Sequence, residues 1–247
     1  MRGAELIYGM HAVRIMLERY PERVLAVQLA ERREDPRARA IEELARRQQR
    51  PLERVDAQAL RRRLGEVAHQ GVAAEVTPLA PWSEDDLLAS LASAPAPLLL
   101  ALDGVQDPHN LGACLRTADA CGALAVIVPR DRAAQLNPTV RKVAAGAAES
   151  TPVVAVTNLV RTLRLLKDAG LWIVGADAAA DKSAAEVDLT GPVVLALGAE
   201  GSGLRRLTQQ NCDFMVRLPQ RGTVESLNVS VAAGMLLYEV VRQRSAA

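Results

Sequence analysis

Apolar runs alternate with amphipathic stretches along most of the chain, and this alternation predicts its architecture. The stretches Leu98–Asp103 and 192–197 are apolar at nearly every position, which is typical of strands buried on both faces of a parallel sheet. Between such runs, apolar residues recur at helical spacing, as in 229–242. The pattern therefore predicts an α/β fold, a mostly parallel sheet with helices on both faces.

This larger part covers residues 98–247, and the pattern divides it into ten predicted elements. The predicted strands are 98–103, 123–128, 153–156, 171–175, 192–197 and 214–218. The predicted helices are 111–121, 137–147, 159–169 and 229–242.

A smaller α/β domain with its own alternation of elements precedes this part, over residues 1–78. Its predicted strands are 23–29, 52–55 and 72–76, and its predicted helices are 8–18, 36–49 and one that Asp56 caps. Prolines then become frequent, and we predict a linker over 79–97 with a short helix at Glu84–Leu91.

The amino-acid composition limits the type of core, the cellular location and the metal or disulfide content that we expect. Aromatic residues make up only 2% of the chain, so the core must consist mainly of Leu, Val and Ala. No apolar run approaches the roughly 18 residues of a membrane span, and the N-terminus lacks an apolar signal core, so we expect a cytoplasmic protein without a membrane partner. Three cysteines and three histidines show no ligand spacing, which predicts neither disulfides nor a metal site.

Charge is uneven along the chain although the net charge is only +1. Residues 1–78 hold 15 arginines, no lysine and 12 acidic residues. This arginine-only excess is compatible with phosphate contacts, because a guanidinium pairs phosphate oxygens with two parallel hydrogen bonds. A solvated surface without a nucleic-acid partner explains the same charge equally well.

Three loops follow predicted strands, and they carry the candidate chemistry. They are the loop 104–110, the glycine-rich loop 198–203 and the polar loop 219–226, which leads into Asn228. Ligands of open α/β sheets bind beyond the carboxyl ends of the strands, and glycines allow the backbone to approach them closely. Each loop also has a plain structural interpretation, since glycines make tight turns and Ser or Asn caps helices.

Several familiar enzyme classes lack their motifs in this sequence. No glycine fingerprint for a dinucleotide follows the first strand of the larger domain, and no phosphate-binding G-x-x-x-x-G-K-[ST] loop is present. The G-x-S-x-G elbow of α/β hydrolases is also missing.

Three segments resemble the three motifs of the SpoU/TrmH-type branch of the SPOUT methyltransferases, in the order of that family. They are residues 107–116 (DPHNLGACLR), 197–203 (LGAEGSG) and 218–232 (LPQRGTVESLNVSVA). In the front half, 8–13 (YGMHAV) and 69–74 (HQGVAA) resemble the L30e-like RNA-binding domain of some members. Along its whole length the chain is similar to the bacterial 23S rRNA guanosine 2′-O-methyltransferases of that family.

The resemblance implies an enzyme that methylates the ribose 2′-hydroxyl of a guanosine in 23S rRNA. It implies S-adenosylmethionine as cofactor, held in a C-terminal trefoil knot that no residue pattern would predict, since chains rarely thread their own loops. It also implies a homodimer with its active sites at the subunit interface.

The resemblance assigns roles to individual residues. Arg116 would activate the hydroxyl, and we expect it to stabilise the developing alkoxide and clamp a phosphate, because a guanidinium keeps its proton and is a poor base. The remaining expected catalytic residues are Asn110, Glu200, Ser226 and Asn228. The expected cofactor-binding residues are Leu197, Gly198, Gly201, Val216, Leu218, Ser226, Leu227 and Asn228.

Three other functions stay open at this point. The chain could methylate tRNA within the same family, or bind RNA without catalysis on the same fold. An α/β enzyme that uses a dinucleotide on a small molecule is the third, although the missing early glycine fingerprint argues against it.

Overall fold

The computed structural model describes residues 4–65, 67, 69–77, 81–223 and 226–246. The chain divides into two compact units, Met1–Ala80 and Pro81–Ala247. Residues 224 and 225, which belong to the predicted polar loop, lie outside the described residues, and so do 78–80 at the predicted start of the linker.

The first unit is built on a four-stranded sheet in the order β1-β4-β2-β3. The β2–β3 pair is parallel, and the other two pairs are antiparallel. Its elements are β1 (Glu5–Tyr8), α1 (Met10–Arg19), β2 (Val24–Ala30), α2 (Pro36–Arg47), β3 (Leu52–Val55), α3 (Ala57–Leu64) and β4 (Val72–Val76).

The first strand, β1, corrects the sequence-based prediction that a helix begins at Tyr8. Tyr8 instead pairs with Ala73 at the end of the strand, and the chain turns at Gly9, whose φ is 97°. Only a glycine adopts this backbone angle without strain, so the helix begins at Met10. The side chain of Gln70 accepts a hydrogen bond from the Met10 backbone N–H at 3.1 Å, which joins the two motif segments of this unit.

The second unit contains a seven-stranded sheet in the order β7-β6-β5-β10-β8-β11-β9, and every pair of neighbours is parallel. Its strands are β5 (Leu98–Asp103), β6 (Ala125–Pro129), β7 (Val153–Val156), β8 (Trp172–Ala176), β9 (Lys182–Ser183), β10 (Val193–Gly198) and β11 (Phe214–Arg217). Its helices are α4 (Glu84–Leu91), α5 (Pro108–Ala120), α6 (Pro138–Ala144), α7 (Leu159–Asp168), α8 (Arg206–Gln209) and α9 (Val229–Ala246).

Both faces of this sheet are covered, which confirms the predicted α/β layering. Side chains alternate along β5, so Leu100 packs among residues of α5, α6 and α9, while Leu99 packs among residues of α4 and α7. Burying one such leucine contributes about 1.5–3 kcal/mol. The fully apolar strand runs in the sequence are explained by this double burial.

The predicted linker contains the helix expected at Glu84–Leu91, and this helix belongs to the second unit. Ser83 and Asp86 form a capping box at its start. Leu87 is fully buried in the core beneath it, and Glu84 pairs with Arg161 of α7 at 2.7 Å. The acidic first turn therefore ties the helix to its neighbour.

Other boundaries differ from the prediction for local reasons. The helix α5 begins at Pro108, because the Asp107 side chain accepts the His109 N–H at 2.8 Å and proline suits the first helical position. The helix α6 ends at Ala144, where Ala145 takes a left-handed conformation (φ 52°). The elements β9 and α8 were not predicted, since two and four residues are too short to show a period.

The order of the strands determines where a ligand would bind. The strand β10 lies between β5 and β8, although it follows both in sequence. The carboxyl ends of β5, β8, β10 and β11 therefore meet at one edge of the sheet, the usual position of ligand sites in parallel α/β sheets. Within the described residues, none of the helices combines the length and apolar character that a membrane span requires.

Candidate functional site

A tight turn follows β10, and its backbone passes directly beside Gly198. The Gly203 N–H donates to the Ala199 carbonyl at 2.9 Å, and Gly201 and Gly203 have φ angles of 77° and 64°. A Cβ atom at Gly198 would lie 1.8 Å from the backbone carbon of Gly203. The segment 198–203 thus needs glycine at Gly198 for a close backbone crossing, beyond the ordinary demands of a turn.

The turn forms one wall of a cavity of about 330 Å³, which we call the first cavity. Every residue predicted to bind the cofactor lines it except Asn228. Those lining residues are Leu197, Gly198, Gly201, Val216, Leu218, Ser226 and Leu227. The structure thereby gathers side chains and backbone from β10, β11 and the segment before α9 around one space.

The first cavity also has polar lining residues that the sequence-based analysis missed. Asp177 follows β8, and its carboxylate accepts hydrogen bonds from Ala179 N at 2.9 Å and Gln209 Nε2 at 3.3 Å. Gln209 and Gln220 line the cavity as well. The rule that ligands bind beyond the strand ends would have identified Asp177, since it is the first polar residue after a buried strand.

Glu200 is the centre of a hydrogen-bonded triad with Asn110 and Asn228. Its Oε1 atom accepts hydrogen bonds from the side-chain amides of Asn110 (3.2 Å) and Asn228, and from the Val229 backbone N–H at 3.3 Å. The Asn228 amide also donates to Oδ1 of Asn110 at 3.0 Å. One residue from each of the three motif segments thus contributes to this triad, and no hydrogen bond from the described residues reaches Oε2 of Glu200.

Asn228 caps a helix and also belongs to the triad. Its Oδ1 atom accepts the Ser230 backbone N–H at 2.9 Å and the Ser230 hydroxyl at 2.6 Å, which caps the start of α9. Its amide group, on the other side, belongs to the triad. The cap therefore orients the amide for Glu200.

A second cavity, of about 420 Å³, lies along the 199–203 turn and the loop after β5. It shares Ala199, Glu200, Ser202, Gly203 and Val229 with the first cavity. Its other lining residues are Asp103, Gly104, Val105, Gln106, Asp107, Asn110 and Arg205. Glu200 therefore lines both the first and the second cavity.

Arg116 lies apart from the residues that were expected to act with it. Its side chain is exposed on α5 and lines neither cavity. Arg116 follows Asn110 by six residues, and at 3.6 residues per turn this places the two side chains about 120° apart around the helix. Ser226, by contrast, is exposed at the wall of the first cavity.

Among the described residues, no group of three or more His, Cys, Asp or Glu side chains could hold a metal ion. Burial raises the pKa of the Cys114 thiol to about 12 and that of Cys212 to about 11, so neither supplies a thiolate near neutral pH.

Two family models match the chain, one for each unit. Residues 97–238 match the SpoU rRNA Methylase family, and residues 6–82 match the RNA 2′-O ribose methyltransferase substrate binding family.

Relatives with known names and structures are similar over nearly the full length. The 23S rRNA (guanosine-2′-O-)-methyltransferase RlmB of Pseudomonas aeruginosa is 56% identical over 98% of this chain and 97% of its own. The Escherichia coli K12 protein of the same name is 50% identical over 98% of this chain and 100% of its own. The SpoU methyltransferase AviRb from Streptomyces viridochromogenes, solved in complex with AdoMet, has a TM-score of 0.76 at 29% identity and covers 99% of this chain and 92% of its own.

Proposed function

The chain belongs to the SpoU rRNA methylase family, and from this premise we propose that it methylates the ribose 2′-hydroxyl of a guanosine in 23S rRNA with S-adenosylmethionine. One observation carries the proposal within the structure. The triad of Asn110, Glu200 and Asn228 joins the three motif segments at Glu200, which lines both cavities. Such an arrangement suits a reaction in which a methyl donor in one cavity meets a methyl acceptor in the other, on the two sides of the 198–203 turn.

The first cavity fits S-adenosylmethionine. Its volume of about 330 Å³ falls within the roughly 300–1,000 Å³ of small-molecule sites. The apolar side chains of Leu197, Val216 and Leu218 suit a flat adenine, and the exposed backbone of 198–203 offers N–H and C=O groups to its edges. Asp177 supplies a carboxylate for a hydroxyl or ammonium group.

The reaction requires positioning more than acid–base chemistry. The bound cofactor supplies an electrophilic methyl group on a positively charged sulfur. The chain must hold the ribose so that its 2′-oxygen approaches in line, and it must stabilise the charge that grows on that oxygen. The triad offers a wall for the ribose, and no hydrogen bond from the described residues reaches Oε2 of Glu200, so this oxygen can accept the hydrogen bond of the 2′-hydroxyl, through which the proton leaves as the oxygen is methylated.

Arg116 supplies the positive charge in this proposal. Its guanidinium stabilises the developing alkoxide and clamps the neighbouring phosphate, since it carries donors only and keeps its proton. Ser226 adds a hydroxyl at the cavity wall, where it contacts cofactor or RNA.

The position of Arg116 supports the homodimer that the family resemblance implies. Because Arg116 lies on a different face of α5 from Asn110, we assign it to the active site of the partner subunit. The neighbouring helix α9 packs on α5 and exposes an apolar stripe at spacings of four and three, formed by Val231 (50% exposed), Met235 (44%) and Tyr238 (64%). A stripe of this kind suits a helix that packs against a second copy.

The proposal extends to three finer features. The match of residues 97–238 to the SpoU rRNA Methylase family supports the C-terminal trefoil knot that the resemblance implies. The substrate-binding family match supports an L30e-like first unit, spanning 1–78, that contacts RNA. A ribosomal substrate fits an activity in the cytoplasm and needs no membrane partner.

The experiment is a map of ribose methylation in rRNA. A bacterial strain that lacks its own enzyme of this kind would receive the gene for this chain, or for its Asn228→Ala variant. We expect one 2′-O-methylguanosine to return in 23S rRNA with the former and not with the latter. Methylation that returns only in tRNA would replace the rRNA assignment, and binding to RNA without any methylation would replace the enzymatic one.

A further inference from the structure

Arg205 lies at the wall of the second cavity, tethered to a buried carboxylate. Its backbone N–H donates to Oδ2 of Asp103 at 3.0 Å, and its side-chain Nε lies 3.5 Å from Oδ1 of the same carboxylate. Thr208 Oγ1 donates to the same Oδ2 atom at 2.7 Å. The Asp103 side chain is 1% exposed, whereas that of Arg205 is 52% exposed, so a buried anion holds an accessible cation in place.

The ion pair leaves the hydrogen-bond donors of Arg205 unused. Its 3.5 Å separation is too long for a good hydrogen bond, and Oδ1 of Asp103 accepts none from the described residues. The guanidinium of Arg205 likewise makes no hydrogen bond within the described part of the chain. A buried carboxylate therefore orients the guanidinium by charge, while its donor groups stay available to a ligand.

Gly104 makes room for this arrangement. Its φ of 80° is a backbone angle that favours glycine, and a Cβ atom there would lie 3.3 Å from Nη2 of Arg205. The guanidinium thus lies against the peptide that follows β5, within the lining of the second cavity.

The second cavity is the natural place for the acceptor of the methyl group. It adjoins the first cavity along the 199–203 turn and shares Glu200 with it. Its volume of about 420 Å³ is within the roughly 300–1,000 Å³ of ligand sites. If the cofactor occupies the first cavity, a nucleotide in the second one lies beside the triad.

We propose that the second cavity receives the base of the target guanosine and that Arg205 reads its O6 and N7 atoms. The inference rests on the proposed methyl transfer to guanosine. A guanidinium carries only donors, and it pairs both acceptors of the guanine edge at once. Adenine presents an amino group in place of O6, so the same guanidinium disfavours it. Asp103 is a positioning residue that acts through Arg205.

The test measures sensitivity to a single atom of the base. The substrate is a fragment of 23S rRNA that the wild-type protein methylates, made with guanosine or with 7-deazaguanosine, which lacks N7, at the target position. Wild-type kcat/KM should fall about tenfold with the 7-deaza substrate, because it loses one of the two hydrogen bonds that the charged guanidinium donates to the base, while the one to O6 remains. The Arg205→Ala variant should methylate both substrates at similar, reduced rates, since it has no donor for the base edge, whereas Arg205→Lys keeps a cation and should retain part of the difference between the substrates.

A matched control and a second measurement separate the outcomes. Arg206→Ala removes the neighbouring exposed arginine, which lines neither cavity, and should keep the wild-type ratio between substrates. Cofactor affinity, measured by calorimetry, should stay unchanged in all three variants. An Arg205→Ala variant that slows both substrates but keeps the wild-type ratio would show a phosphate contact and overturn the inference. Wild-type protein indifferent to N7 would overturn it too, while the absence of any guanosine methylation would reject the proposed function itself.

Discussion

The Oε1 atom of Glu200 lies 3.2 Å from the side-chain amide nitrogen of Asn110, although 90 residues separate them in the sequence. The parallel sheet causes this proximity, because β5 and β10 are neighbours and end at the same edge. The contact joins the first two motif segments, through Asn110 in the first turn of α5 and Glu200 in the turn after β10. Since Asn228 bonds to both residues, the third segment is held to the same point.

We predict that Glu200→Ala lowers the methyl transfer rate by on the order of a hundredfold with little loss of stability. The change removes the acceptor shared by Asn110, Asn228 and Val229, and preorganised groups of this kind typically contribute that much. The residue is exposed, so water can satisfy the released donors. Single-turnover kinetics and thermal unfolding measure the two effects. A large drop in melting temperature with unchanged turnover would make Glu200 a structural residue only.

Gly198→Ala should abolish cofactor binding or destabilise the second unit by about 1–3 kcal/mol or more. The added methyl would overlap the backbone of Gly203, which cannot move without displacing the turn. Gly191→Ala is the matched control, because a Cβ there meets nothing within 4 Å. Calorimetric titration with S-adenosylmethionine and thermal unfolding of both variants test this. Normal affinity and stability in Gly198→Ala would contradict the close crossing.

Arg116→Ala should lower kcat about a hundredfold at unchanged cofactor affinity, and Arg116→Lys should recover little of the loss. The assignment to the partner's active site predicts complementation. A heterodimer of one Arg116→Ala subunit and one Glu200→Ala subunit contains one intact site, so it should regain about half of wild-type turnover. Differently tagged subunits allow its purification. If the mixed dimer stays as inactive as its parents, Arg116 acts within its own subunit.

The exposed arginines of α2 should contribute RNA affinity without contributing to catalysis. Arg46 and Arg47 form no ion pair with the described residues, whereas Arg54 is held by Glu42 at 2.9 Å. Arg46→Gln/Arg47→Gln should weaken RNA binding and reduce its salt slope by about 0.7–0.9 for each lost phosphate contact.

The control for this pair is Arg161→Gln/Arg164→Gln on α7, which changes the charge equally in the second unit. RNA affinity is measured by filter binding over a range of salt concentrations. Equal effects of the two double variants would show that total charge, and not the first unit, determines RNA affinity.

Much of the fold was predictable because the second unit's strands are buried on both faces. Runs such as Leu98–Asp103 and Val153–Val156 are observed with the predicted bounds, since a short uninterrupted apolar run is typical of a buried strand. Short or edge elements were missed where no periodicity exists, as for β9. The strand β1 was missed because Tyr8 and its neighbours form a pattern that a helix would also satisfy.

The site was less predictable than the fold, because proximity depends on strand order. The three motif segments identified Asn110, Glu200 and Asn228, but the sequence contains no signal that one carboxylate oxygen serves both amides. Asp177 was missed since it belongs to no motif. The resemblance assigned Arg116 to the same site as Asn110, whereas the rotation along α5 separates the two side chains around the helix.

The most direct test of the account is the identity of the methylated nucleoside. Full-length protein would be incubated with 23S rRNA from a strain lacking the enzyme and with S-adenosylmethionine labelled in its methyl group. The RNA would then be digested to nucleosides, which would be separated by chromatography and identified by mass spectrometry. We predict label in 2′-O-methylguanosine alone, in the presence of EDTA as well, provided that the RNA remains folded. Label on a base, on the ribose of another nucleoside, or on no nucleoside at all would contradict the account.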